Sequence, residues 1–224
     1  MRRFLAILLC IGLLCVPVRA EEEKYVALTF DDGPSGRFTR RLLAGLAERD
    51  VKATFLLCGY RLEIYPELGE QIYQQGHEIG LHGYSHKDMA KMSAGELTRE
   101  IQKTLALLPA GCDPVFLRPP GGSESPLVSQ VAKKAGYALL SWSVDPRDWA
   151  LHDASVVESA VISQVRSGDI VLLHDLSDSS VEAALVIVDR LREQGFQFVT
   201  VSRLAALRGV QPIPGKTYRS FPNS

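Results

Sequence analysis

The sequence predicts an α/β fold, a TIM-like distorted (β/α) barrel of about seven strands, from three observations. The 224 residues suit one domain, and 46% hydrophobic and 23% charged residues are ordinary for a globular protein. Short apolar runs alternate with helical stripes, which is typical of parallel strands joined by helices. Polar residues collect where several predicted strands end. An open doubly wound sheet is the alternative architecture.

Residues 1–20 have the pattern of a secretory signal peptide, which separates them from the predicted folded domain at 21–224. A basic start precedes an almost wholly apolar run over 4–16, and compact residues lie before a cleavage point after Ala20. An uncleaved membrane anchor is the alternative, although the apolar run is short for a bilayer span. We expect a secreted or cell-envelope protein, with a short C-terminal tail from about 209.

The predicted strands follow one another at regular spacing along the domain. Seven runs rich in apolar residues predict buried strands at 25–30, 52–57, 77–81, 115–117, 138–142, 169–173 and 196–201. Because helical patterns separate them, we expect the strands to be parallel.

The segments between these strands show helical stripes with recognisable starts and ends. Ser93 and Glu96 form a capping box before one helix, and Ser125 with Pro126 begins the next. A single helical stretch is predicted before Gly76, and the helices after it end at Gly136 and Gly168. Further apolar stripes begin near Phe38, Val157 and Val181.

The charge of the chain gives no sign of a nucleic-acid partner. The formal net charge is −1, and removing the three arginines of residues 1–20 changes it to −4. Nucleic-acid binding calls for a clustered positive face, which this balance does not favour. No stable protein partner is predicted.

Two of the four cysteines, Cys58 and Cys112, lie outside the predicted signal peptide. Cys58 follows the second strand, whereas Cys112 precedes the fourth, so they are predicted at opposite ends of the barrel. A five-residue strand spans about 17 Å, while the Cα atoms of a disulfide lie within ~7 Å. We therefore expect no disulfide between them.

Charged and imidazole side chains follow five of the predicted strands. They are Asp31 and Asp32, His82, Arg118, Asp145 and Asp148, and the pair His174 and Asp175. In parallel α/β folds the functional site forms at the carboxyl ends of the strands. The sequence therefore predicts a site at this rim.

His82 and His86 are spaced to bind one metal ion together. Residues at i and i+4 share a face of a helical turn, and Asp32 could add an oxygen ligand. Two histidines and one carboxylate, with open positions, form a catalytic arrangement. Zinc fits, as do cobalt, iron and manganese; ordinary surface histidines are the alternative. The remaining histidines, His77 and His152, are interpreted as structural.

The other polar residues suggest proton transfer. Asp31 could take a proton from water activated by the cation, although Asp-Gly-Pro is also turn chemistry. His174 titrates near neutral pH and could act as a general acid, with a core histidine as the alternative. Asp148 or Asp145 could raise its pKa. Arg118 needs a carboxylate partner, for which Asp31 is a candidate.

Five motifs occur in one order and together resemble the polysaccharide deacetylases, the NodB-homology enzymes of carbohydrate esterase family 4. The motifs are Thr29-Phe30-Asp31-Asp32-Gly33-Pro34, His82-x-x-x-His86, Arg118-Pro119-Pro120, Asp145-x-x-Asp148-Trp149 and Leu172-x-His174. The resemblance extends from about 25 to 207, nearly the whole predicted domain.

The resemblance implies metal-dependent hydrolysis of N-acetyl groups on a cell-envelope glycan, with peptidoglycan or a chitin-like glycan as the substrate. The implied roles are Asp31 as base, Asp32, His82 and His86 as metal ligands, Arg118 as the partner that orients Asp31, His174 as acid tuned by Asp148, Trp149 and Leu172 as pocket walls, and Gly121 as an N–H donor to the oxyanion.

Three positions depart from the pattern of the resembled family. Gly121 stands where many members have an aromatic residue, Leu81 where Asn is common, and Gly83 where Thr or Ser is common. The alternatives on the same scaffold are muramic-acid deacetylation or lactam formation in peptidoglycan. A non-catalytic glycan-binding module is a further alternative, which the retention of Asp31 and His174 disfavours.

Overall fold

Strands and helices alternate through residues 23–223, the part of the chain that the computed structural model describes. The strands are β1 (Lys24–Asp31), β2 (Thr54–Leu57), β3 (Glu78–Leu81), β4 (Phe116–Leu117), β5 (Ala138–Leu140), β6 (Ile170–His174), β7 (Phe196–Phe198) and β8 (Thr217–Tyr218). The helices are α1 (Arg37–Glu48), α2 (Gly59–Ile64), α3 (Pro66–Gln74), α4 (Ala94–Leu105), α5 (Pro126–Ala135), α6 (Ala154–Ile162), α7 (Asp178–Glu193) and α8 (Val201–Leu207). The predicted signal peptide lies outside the described residues.

The strands form a parallel sheet that curls into a barrel. Its order is β6-β1-β2-β3-β4-β5-β8, and β7 pairs in parallel with the amino-terminal half of β1. Beyond β5, Val144 pairs with Val171 of β6, which brings the two sides of the sheet together. The prediction of a distorted barrel is therefore confirmed over the open doubly wound alternative.

Strand β1 is central because apolar elements cover both of its faces. Seven of its eight residues are buried, and Phe30 stacks on Phe55 of β2 with ring centroids 5.3 Å apart. The buried stripes of α1 and α7, which include Leu46 and Ile187, pack in the same core. Burying one such side chain contributes about 1.5–3 kcal/mol, so this core fixes the position of the β1 terminus.

The predicted helix boundaries are largely present, with two differences. The helix predicted to end at Gly168 is α6, which ends earlier, at Ile162, because a turn at Ser163 and Gln164 follows it. The Ser93 hydroxyl accepts a hydrogen bond from the Glu96 amide, and the Glu96 carboxylate accepts one from the Ser93 amide. Gly136 ends α5 with a φ of 91°. The stretch predicted as one helix before Gly76 is two, α2 and α3, because Pro66 lacks an N–H and begins a new helix.

The carboxyl-terminal part of the chain returns to the barrel. The strand predicted at 196–201 ends at Phe198, and Thr200 caps α8 by accepting from the Arg203 amide. The tail predicted from 209 adds β8 beside β5, and the Phe221 amide donates to the Gly168 carbonyl at 2.7 Å. Few apolar residues mark β8, so its pairing depends on tertiary contacts.

Both described cysteines are free, as predicted: Cys58 is buried and Cys112 is partly buried. His77 is also buried, and its Nδ1 accepts a hydrogen bond from the Ala53 amide at 3.1 Å, which confirms a structural placement. His152 lies exposed just before α6. None of the described helices is long and apolar enough to cross a bilayer.

Candidate active site

A cleft of about 340 Å³ opens at the carboxyl ends of the strands, as the sequence predicted. It is lined by Asp31, Asp32, His82, His86, Gly121, Trp142, Asp145, Trp149, Leu172 and His174. Arg118 and Asp148 are buried behind these residues. Parallel strands bring their carboxyl ends to one rim, which is why residues up to 143 positions apart in the chain meet here.

The end of β1 gives its two adjacent aspartates different directions. Asp31 is the last residue of β1 and is buried against Arg118. Asp32 follows with a φ of 71°, in the left-handed region. A Cβ at Gly33 would lie 2.6 Å from Asp175 Oδ1, so this turn requires glycine. The Gly33–Pro34 peptide bond is cis.

Arg118 holds Asp31 in a fully buried ion pair. Its Nη1 donates to Asp31 Oδ1 at 2.6 Å and to Thr29 Oγ1 at 2.8 Å, and its Nη2 donates to the Ser141 carbonyl at 2.9 Å. These contacts offset the desolvation of both charges and confirm the predicted Arg118–Asp31 pair. Thr29 lies two residues before Asp31, so both side chains point to the same face of β1.

Three potential metal ligands converge at one point. Asp32 Oδ1 lies 3.1 Å from His82 Nε2 and 2.8 Å from His86 Nε2. The carboxylate and imidazole atoms that could bind a metal ion all lie within 4.8 Å of one another. This is the predicted set of one carboxylate and two histidines, a donor combination that suits a divalent cation.

The hydrogen bonding of His82 indicates that this group fits a cation. His82 Nδ1 lies 2.7 Å from the Arg118 carbonyl oxygen, which can only accept, so Nδ1 carries the proton in the neutral ring. The lone pair of Nε2 then faces Asp32 Oδ1, a buried oxygen that receives no hydrogen bond of good geometry. Lone pairs that face each other repel unless a cation lies between them.

Asp32 stays ionised in this setting. Its burial alone would raise the pKa of the carboxyl, but the close approach of the His82 and His86 rings outweighs burial and holds the pKa well below its usual range. The same carboxylate raises the pKa of His86 against the effect of partial burial. The site is therefore built around one fixed negative charge.

The helical turn expected for His82 and His86 is absent, so that part of the prediction was wrong. The residues from 82 to 86 form an irregular loop in which Gly83 has a φ of 76° and His86 a φ of 56°. Backbone strain of this kind persists only where surrounding contacts hold it. The imidazoles meet because the loop folds back, with ring centroids 5.3 Å apart.

His174 and Asp148 form the second charged pair of the cleft. Asp148 Oδ2 accepts from the His174 amide, and Oδ1 accepts from His174 Nδ1, both at 2.8 Å. Burial would lower the pKa of His174, but the Asp148 carboxylate, with Asp31 and Asp32, raises it to about 9. Asp145 does not take part, because its carboxylate accepts from the Arg147 amide.

The family model described as polysaccharide deacetylase matches residues 19–140, more than half of the chain. The chain belongs to the polysaccharide deacetylase family. As a member of that family it is a hydrolase that acts on N-acetyl groups of polysaccharides.

Three relatives place this deacetylase within its family. It is 39% identical to a peptidoglycan-N-acetylglucosamine deacetylase of Bacillus cereus, covering 81% of this chain and 88% of that protein. It is 36% identical to the peptidoglycan-N-acetylmuramic acid deacetylase PdaC of Bacillus subtilis, covering 83% of this chain but 40% of PdaC. A family 4 acetyl xylan esterase from Clostridium thermocellum, solved with a cobalt ion, superposes with a TM-score of 0.83 at 36% identity, covering 89% of this chain and all of that one.

The side walls of the deacetylase cleft are uneven. Trp149 is 55% exposed beside the Arg147 guanidinium, whose carbon lies 5.4 Å from its ring centroid. Gly121 has a φ of 62°, and a Cβ there would meet nothing within 4 Å. The cleft is therefore open on this side. Trp142, which no motif singled out, lines the cleft behind Gly122.

Asp175 is a fully buried carboxyl beneath the Asp32 turn of the deacetylase, and the sequence suggested no role for it beyond its strand-end position. Thr39 Oγ1 donates to its Oδ2, and Ser35 Oγ donates to its backbone carbonyl. Burial raises the pKa of Asp175 to about 6 despite the Thr39 hydrogen bond. These contacts fix the turn that presents Asp32.

Proposed function

We propose that this deacetylase removes acetyl groups from the N-acetylglucosamine residues of peptidoglycan in a metal-dependent reaction. One observation carries the proposal: a carboxylate held by Arg118 and an imidazole held by Asp148 line the same cleft as a carboxylate–histidine–histidine set. The substrate class follows from the Bacillus cereus relative, of whose length this chain covers 88%.

Asp31 is the residue suited to take a proton from the attacking water. Arg118 occupies its Oδ1 and fixes its orientation, while Oδ2 lies 3.7 Å from His82 Nε2 at the edge of the ligand set. A base held in place lowers the entropic cost of reaching the transition state. Asp31 therefore acts as the general base in this proposal.

His174 is the residue suited to protonate the leaving nitrogen. Asp148 occupies its Nδ1, so Nε2 is the nitrogen left for the substrate, and a pKa of about 9 keeps the ring protonated at neutral pH. The carbonyl carbon gains a bond to the water oxygen, and its bond to nitrogen breaks. The proton from His174 then gives a free amine, and acetate leaves.

Asp32, His82 and His86 are proposed to hold the divalent cation, with zinc first and cobalt, iron or manganese as alternatives. When bound there, the cation supplies Lewis-acid polarisation and lowers the pKa of water. His82 presents its Nε2 lone pair because the Arg118 carbonyl fixes the proton on Nδ1.

Leu172, Trp149 and Gly121 are proposed to surround the acetyl group. Leu172 is 4% exposed and Trp149 is more than half exposed, so the pocket has an apolar floor and an exposed aromatic edge. The Gly121 amide would donate to the oxyanion. The missing side chain at 121 leaves room for a broad glycan, which suits a peptide-substituted polymer.

A second candidate is deacetylation of N-acetylmuramic acid, because the relative PdaC is named for that activity. This chain spans less than half of PdaC, so the likeness concerns the shared domain alone. Lactam formation after deacetylation belongs to the same candidate. A non-catalytic role is disfavoured, because both Asp31 and His174 keep their charged partners.

The proposal includes export, since peptidoglycan lies outside the cytoplasm and residues 1–20 have the pattern of a signal peptide. Fractionation of cells that express the full chain would test this, with the first residue of the mature protein read by amino-terminal sequencing. Cleavage after Ala20 is expected. Retention of residues 1–20 in the membrane fraction would instead indicate an anchor.

Acetate release is the direct test of the activity. Purified protein with added zinc or cobalt is incubated with N-acetylglucosamine oligomers and with peptidoglycan, beside chelator-treated protein and an Asp31→Asn variant. We expect metal-dependent acetate release from peptidoglycan that the variant loses. Mass spectrometry of digested glycan distinguishes free glucosamine from free muramic acid and from lactam. No release from either substrate with metal bound would contradict the proposal.

A further inference from the structure

The loop from 82 to 86 contributes two of the three proposed metal ligands, yet it has no regular structure of its own. Gly83 and His86 both have φ in the left-handed region, at 76° and 56°. Beyond His82, whose amide still donates to the Leu57 carbonyl of β2 at 3.0 Å, the loop has no helix or sheet hydrogen bonds to maintain it. Its conformation must be held by contacts from other elements.

Two neighbouring elements supply those contacts. The carbonyls of Gly83 and Tyr84 accept from the amides of Gly59 and Tyr60, each at 3.0 Å. The amides of Tyr84 and Ser85 point to the opposite side of the loop, which faces α4. There the half-buried carboxylate of Glu100 takes the place of a backbone partner.

Glu100 binds the loop through both of its oxygens. Its Oε2 accepts from the amides of Tyr84 and Ser85, each at 2.7 Å, and its Oε1 accepts from Ser85 Oγ at 2.8 Å. Charge-assisted hydrogen bonds of this length are about twice as strong as neutral ones. A Cβ on residue 83 would lie 3.3 Å from Oε2, so Gly83 leaves room for the carboxylate.

We propose that Glu100 is a positioning residue for the metal site, which holds the 82–86 loop so that His82 and His86 meet at Asp32. The inference rests on the proposed metal-binding role of those three residues. Glu100 hydrogen-bonds to Tyr84 and Ser85 and not to the three proposed ligands, so its effect passes through the loop backbone. Groups that hydrogen-bond directly to metal ligands typically affect metal affinity 10–100-fold, and we expect an effect of that order from Glu100 because both histidines depend on this loop.

Glu96 provides a matched control on the same helix. It lies one turn earlier on α4, and its carboxylate also accepts from a backbone amide and a hydroxyl, those of Ser93. Those contacts cap α4 and do not touch the metal loop. Removing Glu96 therefore weakens the helix, whereas removing Glu100 should weaken the loop.

The test measures zinc affinity of the purified protein by competition with a chromophoric chelator. Glu100→Ala is expected to raise the Kd for zinc about 10–100-fold, and Glu100→Gln, which keeps one acceptor oxygen, should restore part of the affinity. Glu96→Ala is expected to lower Tm and leave the Kd unchanged. A Glu100→Ala protein that folds and binds zinc like wild type would overturn the proposal, as would an equal loss in Glu96→Ala.

A measurement on the wild-type protein keeps the proposal testable if Glu100→Ala does not fold. Hydrogen exchange of the metal-free protein should show protected amides at Tyr84 and Ser85, because Glu100 accepts from both. Exchange at the rate of exposed amides would overturn the proposal. Wild-type protein that binds no zinc would refute the metal site itself, an outcome distinct from unchanged affinity in the variants.

Discussion

Two histidines, the buried His77 and the largely buried His174, lie at opposite ends of the barrel, and their pKa values shift in opposite directions. At the amino end of β3, His77 accepts from the Ala53 amide, and burial, with the nearby Lys52 charge, lowers its pKa to about 4. At the carboxyl end of β6, burial acts in the same direction on His174, but Asp148 raises its pKa to about 9.

The comparison shows that burial alone does not determine the charge of a histidine. An amide donor suits the neutral ring, and a carboxylate acceptor suits the charged ring. His77 therefore contributes stability that is present above pH 6.5 and is lost as the pH falls through about 4. His174 contributes stability that is present below pH 6.5 and is lost as the pH rises through about 9.

The same substitution at both histidines should separate catalysis from structure and gives the largest expected effect. His174→Gln should lower kcat about 100–10,000-fold, because the proposed general acid is lost. His77→Gln should leave kcat near the wild-type value, because glutamine can still accept from the Ala53 amide. Acetate release under saturating substrate measures both. A His174→Gln enzyme of nearly full activity would contradict the assignment.

The stability of the protein should depend more strongly on the buried arginine at the carboxyl ends of the strands than on an arginine in an exposed ion pair. Arg118→Met leaves Asp31 buried without its partner and should lower the free energy of unfolding by about 3–5 kcal/mol. The control is Arg49→Met, whose partner Asp189 is half exposed, with an expected loss of about 0–1 kcal/mol. Urea unfolding at neutral pH measures both. Equal losses would show that burial of the pair has no special effect.

At the amino ends of the strands, His77 should control how much stability the protein loses as the pH falls from 6.5 to about 4. Between pH 6.5 and about 4 the wild type should lose about 3 kcal/mol of unfolding free energy through His77, because a shift of one pKa unit corresponds to ~1.4 kcal/mol. Asp175 acts in the opposite direction, since its raised pKa favours the folded state at low pH.

The difference between wild type and His77→Gln isolates this term, because Asp175 is present in both proteins. Urea titrations at several pH values should show that the free energy of unfolding falls less between pH 6.5 and about 4 in the variant than in the wild type. Parallel curves for the two proteins would refute the assignment of a neutral buried imidazole to His77.

The smallest expected effect is a shift in the pH dependence of activity, which we expect to follow the protonation of His174. Wild-type activity should fall as the pH rises through about 9, where His174 loses its proton. Asp148→Asn removes the charge that raises this pKa, so the alkaline limb should move toward pH 6.5. Asp145→Asn is the control, since its carboxylate contacts the Arg147 amide. A shift of the same size in both variants would contradict the pairing.

Much of the site could be predicted because strand ends are marked in the sequence. Asp31, Arg118 and His174 each follow an apolar run, and parallel strands bring such positions together. The loop from 82 to 86 was harder, because the i, i+4 spacing suggested a helical turn, whereas contacts with Glu100 hold an irregular loop. No spacing rule connects residues 16 positions apart on different elements.

Periodicity and the residues at strand ends were enough to predict alternating parallel strands and helices, the rim that holds the site and the residue types of the proposed metal set. Only the tertiary contacts show that the barrel closes between Val144 and Val171, that Asp148 rather than Asp145 pairs with His174, that β8 returns beside β5, and that Glu100 accepts hydrogen bonds from the 82–86 loop. The physical reason is that these choices depend on side chains and strands meeting across long sequence separations, which local patterns do not encode.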